Sequence, residues 1–374
     1  MRPLPASRPP PQEPPSGADP EAVHPPHIVL LRDLAQAFRQ DRLIHAAIAL
    51  YATAATIFVL LLPGRQPLVF LSYLPAWIAT SGAMLGVGFL VTGPRRRLKR
   101  QAEADAATPA EAARSRRTAR LIANIFLVLA IAVFMGVFTS VKSMLPLLAG
   151  GYGWDVRLAD FDRWLHGGVD PWRWLQPVMG RPFMHGTLSV IYGAVWFSLL
   201  CGVPLLVTFA ERAQSMRRRY FLTFILVWIV LGNIVAGLFL SGGPAYFAEM
   251  TGDFTRFQPL LDYQRRGSGA FWSSYDAQVM LWYLYDAGRV QLGSGISAFP
   301  SLHVAMATLT ALTAWRLGKR WGVAAIVLLL AVLAGSVHLG WHYAIDGYAA
   351  IVLTVLLWVV VGRFGMKPLP PPST

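Results

Sequence analysis

Residues 299–361 read FPSLHVAMATLTALTAWRLGKRWGVAAIVLLLAVLAGSVHLGWHYAIDGYAAIVLTVLLWVVV. The stretch holds three apolar runs, near 297–315, 321–340 and 343–362, each close to the ~20 residues a helix needs to cross the hydrocarbon of a bilayer. Its charged residues are Arg316, Lys319 and Arg320, gathered in one short join, and Asp346. The runs do not alternate polar with apolar residues, so they read as membrane helices and not as strands of a closed barrel.

Working outward, five more apolar stretches lie near 43–62, 68–91, 121–145, 184–209 and 220–240, which makes eight expected spans. The whole chain agrees: of 374 residues, 55% are hydrophobic and 14% charged, against about 25% charged in soluble domains. The expected fold class is therefore all-α, a polytopic membrane helical bundle with about eight transmembrane helices. Residues 1–27 are Pro-rich and carry no apolar run, so they read as a disordered tail and not as a cleaved signal peptide. Residues 28–120 hold the first membrane helices and a basic loop, 121–364 a second membrane domain, and 365–374 a disordered tail.

The formal charge of +14 would raise nucleic acid in a soluble protein. Here the Lys and Arg form short blocks beside apolar runs: Arg32, Arg39 and Arg42; Arg95 to Arg100 and Arg114 to Arg120; Arg212 and Arg217 to Arg219; Arg316 to Arg320; Arg363 and Lys367. With eight spans these segments share one side, which the positive-inside rule makes cytoplasmic. Topology and anionic lipid account for the charge, and no nucleic-acid partner is expected. The acids gather on the other side, as Asp155, Asp160, Asp162, Asp170, Glu249, Asp253, Asp262, Asp276 and Asp286. The expected location is a bacterial inner membrane, with both termini cytoplasmic and any site at the polar face periplasmic. Cys201, the single cysteine, excludes an intrachain disulfide and a cysteine metal cluster and reads as a small buried residue.

Two segments on that far side are long. Residues 146–183 carry Trp154, Trp164, Trp172 and Trp174 and read as an amphipathic or re-entrant interfacial element. Residues 241–296, rich in Tyr and Trp, are longer than connections usually are and read as a lid or binding element.

Ionisable groups inside spans are costly and mark function. They cluster here in two places at one depth: FPSLHV, 299–304, and GSVHLGWHYAID, 335–346. His342 and Asp346 are four apart, so on a helix Asp346 can fix the imidazole tautomer and leave the other nitrogen free to attack. His303, from another span, can act as general acid. Pro300 and Ser301 open that span, where free N–H groups and the Ser301 hydroxyl suit an anion such as phosphate. A metal alternative stands beside this: His338, His342 and Asp346 fall at i, i+4 and i+8, with His303 as a further ligand. A transporter would place its polar groups near the midplane, along a path between two broken-helix halves; these lie toward one face.

The motifs resemble the type 2 phosphatidic acid phosphatase superfamily, whose Pro-Ser-Gly-His motif is matched by PSLH at 300–303 and whose terminal His, three residues, Asp is matched by HYAID at 342–346. Aligned back from His342, Gly335 stands at the family's Ser and Ser336 at its phosphate-binding Arg; Arg181-Pro182 ends the other family signature, with Trp174 at its Lys. A narrower branch, fungal inositol phosphorylceramide synthase and its bacterial relatives, is similar at AFPSLH (298–303), HYAID, Gly243-Pro244-Ala245-Tyr246 and LHGGVDPW (165–172). The resemblance implies that superfamily's helical core and a lipid phosphotransferase in which His342 attacks phosphorus, Asp346 supports the imidazolium and His303 protonates the leaving oxygen. It implies a phosphohistidine intermediate, a phospholipid donor and a lipid alcohol acceptor as partners, and no metal or other cofactor. With water as acceptor the same chemistry is a lipid phosphate phosphatase. It also suggests Gly243 and Tyr246 at the substrate. In place of the absent Arg, Lys142 near the end of the third span is the first candidate for the phosphate charge, followed by Arg265, Arg266 and Arg289. No protein partner is legible.

Overall fold

The computed structural model describes residues 26–61, 69–84, 86, 110–267, 269–270 and 272–364. The tail expected at 1–27 lies almost wholly outside them, and that at 365–374 wholly so. Every regular element among the described residues is helical, and the principal ones are α1 (Pro26–Gln40), α2 (Arg42–Leu61), α3 (Ala110–Ala149), α4 (Asp155–Leu165), α5 (Pro171–Met179), α6 (Pro182–Phe209), α7 (Glu211–Leu238), α8 (Gln258–Arg265), α9 (Ser274–Asp286), α10 (Leu302–Leu317), α11 (Lys319–His338) and α12 (Ala344–Phe364).

Six of these are long and apolar enough to cross a membrane: α2, α3, α6, α7, α11 and α12. The span expected at 297–315 is α10, of 16 residues, and the one expected at 68–91 lies only partly within the described residues, which are helical over 74–84. A run of threonines lowers α10's apolar character, and its position in the bundle compensates. Val304, Ala305 and Leu309 are fully buried, and Thr308, Thr310 and Thr313 each donate to the carbonyl four residues earlier at 2.8 Å, so no hydroxyl is left unsatisfied.

Helices in lipid gain little from apolar burial as such and associate by close packing. The buried centre accordingly interlocks rings with small residues: Phe134, Phe138, Phe224 and Trp228 with Ala305 and Leu302, and Gly232, where an added Cβ would strike the Phe138 ring and Leu302. Cys201 belongs to this core, fully buried.

The chain threads the bundle so that its two ends differ. One end gathers basic residues from several elements, Arg120 and Arg217 near Asp41 and Arg219 near Arg316. There Arg217 donates to both oxygens of Asp41 at 3.0 and 2.6 Å and to the Thr208 carbonyl at 2.8 Å, with both side chains of the pair about 5% exposed or less. Asp41→Ala leaves that guanidinium buried without a counter-charge, so the variant should lose ~3–5 kcal/mol of stability. A thermal melt in detergent that matches the parent would contradict this role. The other end gathers 146–183 and 241–296, tied by the Tyr152 hydroxyl to the Ile296 carbonyl at 3.1 Å, and this end carries His303 and His342.

Candidate active site

The segment that carries His342 is a turn between two helices. After α11, the N–H groups of Trp341 and His342 both donate to the Ser336 carbonyl, at 3.0 and 3.1 Å. The chain then enters α12 at Ala344. His342 therefore precedes the helix, and its approach to Asp346 comes from this turn and not from a shared helical face. The contact forms all the same: His342 Nδ1 lies 3.2 Å from Asp346 Oδ2, and with Asp346 ionised the nitrogen is the donor. The same oxygen accepts Tyr343 N–H at 3.1 Å, as a side chain in a helix's first turn does for the N-cap. Asp346 is fully buried, and its carbonyl accepts Ser301 N–H at 3.1 Å, which stitches the two sequence motifs together.

His303 lies in the first turn of α10, one face of its ring against Tyr192 and the other against Trp196. The centroid distances are 4.2 and 3.8 Å and the interplanar angles 7° and 24°. Trp196 Nε1 also donates to the His303 carbonyl at 3.0 Å. Tyr192 and Trp196 come from α6 where it winds through a π-helical turn, Ile191–Val195, a local distortion common at functional sites. Two aromatic faces hold the imidazole in one plane. Ser301 is fully buried; its hydroxyl accepts Val304 N–H at 3.4 Å, so it caps α10.

His303 and His342 share the wall of a cavity of about 340 Å³. Lys142 from α3 shares it too, with no carboxylate paired to it among the described residues. Gly295, at φ +94°, crosses directly over the Lys142 stem, where a Cβ would come within 3.0 Å of Cγ. Aromatic groups make up much of the remaining wall: Tyr192, Trp196, Trp272, Trp341 and Tyr246. The expected binding element at 241–296 supplies Tyr246, Trp272 and the turn at Gly295, and it folds into α8 and α9 on the way. Tyr246 is anchored by its hydroxyl, which donates to the Gln278 carbonyl at 3.0 Å. Gly242 lines the cavity, whereas Gly243 stands behind it. At φ +84°, Gly243 lies so close to the Trp341 carbonyl that a Cβ would sit 2.5 Å from it, so its glycine serves a close backbone approach. Arg265, Arg266 and Arg289 do not line this cavity.

His338 turns elsewhere: its Nε2 meets His185 Nδ1 at 3.4 Å. Among the described residues no three His, Cys, Asp or Glu converge as metal ligands, so the i, i+4, i+8 set is not assembled. Ser336, at the position of the family's Arg, is fully buried, with its hydroxyl on the Leu333 carbonyl at 2.7 Å.

Two buried carboxylates were not singled out from the sequence. Asp155 and Asp162 are seven residues apart and so on one face of α4. Asp155 accepts Gly242 and Gly243 N–H at 2.8 and 2.9 Å and the Tyr343 hydroxyl at 2.8 Å. Asp162 accepts the N–H groups of Ala344 and Ile345, both at 3.0 Å. Burial pushes both carboxyls above the ordinary aspartate range, and these hydrogen bonds oppose the shift. The legible signal was DVRLADFD itself, two acids at helical spacing on the apolar side of an amphipathic segment. Its third acid, Asp160, is 63% exposed and pairs with Arg256 at 2.6 Å.

No curated protein and no solved structure matches the sequence significantly. A family profile does, over residues 156–360, more than half of the chain. That range runs from α4 into the last turns of α12 and includes both histidine motifs, and by it the chain belongs to the PAP2 superfamily, whose members are phosphatases or phosphotransferases.

Proposed function

We propose that this protein is an integral membrane lipid phosphotransferase, similar to inositol phosphorylceramide synthase, that works through a phosphohistidine at His342. The observation that carries the reading is one cavity walled by an Asp346-bonded His342, an aromatic-clamped His303 and Lys142, which has no carboxylate partner among the described residues. A nitrogen of His342 attacks the phosphorus of the donor lipid, a P–N bond forms and the P–O bond to the leaving group breaks. His303 gives its proton to that oxygen, and Asp346 supports the charge left on His342. In the second half the acceptor's hydroxyl oxygen attacks phosphorus, the P–N bond breaks and His303 takes back the proton.

Lys142 offsets the phosphate charge in a cavity walled largely by aromatic and apolar groups, where a preorganised cation acts most strongly. It takes the part of the family's Arg, whose position holds Ser336. The basic residues gathered at the opposite end of the bundle, Arg217 and Arg219 among them, support cytoplasmic termini and a site on the outer face, which in a bacterial inner membrane is the periplasmic one.

The test is lipid turnover by purified protein in liposomes, offered a labelled phospholipid diester with a lipid alcohol and, separately, a lipid phosphate monoester with water. A new phosphodiester lipid is the expected product. Free phosphate from the monoester alone would move the protein to the phosphatases of the same superfamily, and turnover of neither would sink the reading. His303→Ala should slow a poor leaving group by ~10²–10⁴-fold, the range of general-acid catalysis, and a good one such as nitrophenolate far less. Equal losses on the two would remove His303 from that role.

A further inference from the structure

We infer that α4 positions the reacting pair: Asp155 and Asp162 together hold the segment 342–346 so that the Asp346 carboxylate is left free to orient His342. The inference rests on the function proposed above. Asp155 and Asp162 are 1% and 3% exposed, and neither pairs with Lys or Arg among the described residues. Among the described residues, the hydrogen-bond donors to these two carboxylates come from the site's own backbone turns and from the Tyr343 hydroxyl, and the His166 ring stands 3.6 Å from Asp162.

The first N–H groups of a helix have no partner within it, and a carboxylate in the first turn tends to fold back onto them. Asp346 is such a carboxylate. It accepts Tyr343 N–H on the oxygen that also meets His342, while its other oxygen has no partner among the described residues. The next two N–H groups, of Ala344 and Ile345, are claimed by Asp162. With Asp162 removed they compete for Asp346 and draw it from the imidazole. Asp155 fixes the other side of the turn through the Tyr343 hydroxyl, and it ties the same segment to Gly242 in the cavity wall. One turn further along α12, Tyr348 is held by His166 of the loop after α4, 3.0 Å from its hydroxyl, so α4 and its end grip α12 along its first turns.

The experiment compares Asp162→Asn, Tyr343→Phe and Asp160→Asn with the parent in liposomes. Tyr343→Phe removes one hydroxyl and no charge, so it keeps the test decisive if Asp162→Asn fails to fold. Asp160→Asn alters the exposed acid of the same helix. Misplacement of a reacting group by about an ångström costs ~10²-fold, so Asp162→Asn should lower kcat by ~10–100-fold, with KM unchanged. Tyr343→Phe should do the same to a smaller extent, and Asp160→Asn should match the parent. A second readout does not need turnover: the ring ¹⁵N shifts of His342, assigned with His342→Gln, should report a lost Nδ1–H bond to Asp346 in Asp162→Asn and an intact one in Asp160→Asn. Unchanged kcat with unchanged His342 shifts in folded Asp162→Asn and Tyr343→Phe would overturn the inference and leave the proposed reaction standing. If the parent turns over no lipid the reaction fails instead, and the ¹⁵N shifts still decide the positioning role.

Discussion

His342→Ala should abolish lipid turnover, with a fall on the order of 10⁴–10⁶-fold, as expected when the nucleophile of a unit of interdependent groups is removed. No other described imidazole stands where it could take over. His303 is held by aromatic faces and by its place at the start of α10, and His338 is engaged with His185. The folded protein should survive the change, because the turn at 339–343 is held by backbone bonds to Ser336 and by Tyr343. Steady-state turnover of a labelled lipid, with a thermal melt as the check on folding, measures both. Retention of more than a tenth of the parent's rate would remove His342 from the chemistry.

Lys142→Met should be the second most damaging change. Methionine keeps most of the stem that passes under Gly295 and deletes the charge. An electrostatic donor aimed at developing charge contributes ~10²–10³-fold in rate, and kcat/KM should fall by about that much. Lys142→Arg should recover part of the loss, since the guanidinium keeps the charge and differs in shape. A loss of less than threefold in Lys142→Met would show that the phosphate charge is met elsewhere.

What could be read from the sequence follows the range of the interactions. Spans are local statements about twenty residues, and α2, α3, α6, α7, α11 and α12 stand where the apolar runs placed them. α3 extends well beyond its expected 121–145, because its basic first turns continue the helix outside the apolar run. The His342–Asp346 contact was legible from a spacing of four, although a turn and a helix start bring it about.

The aromatic clamp on His303 was not legible. Tyr192 and Trp196 sit over a hundred positions earlier in a uniformly apolar run, and only the packing of α6 on α10 gives them meaning. Asp155 and Asp162 looked like two charges in a loop among many, since their partners are backbone N–H groups that no pattern of side chains announces. Gly243 was noticed for its neighbours Pro244 and Tyr246, yet its own reason is the nearness of the Trp341 carbonyl. Ser301 looked like an anion ligand and caps α10.

The central claim is that phosphorus is transferred to His342, and the direct measurement is to trap it there. Purified protein is mixed with a phosphorus-labelled donor lipid in the absence of acceptor, quenched in alkali on the millisecond scale, digested and mapped by mass spectrometry. The expected result is an alkali-stable, acid-labile phosphoryl group on the peptide that holds His342, formed at least as fast as turnover and discharged when the lipid alcohol is added. Label on another residue, or turnover with no covalent label at any time, would contradict it.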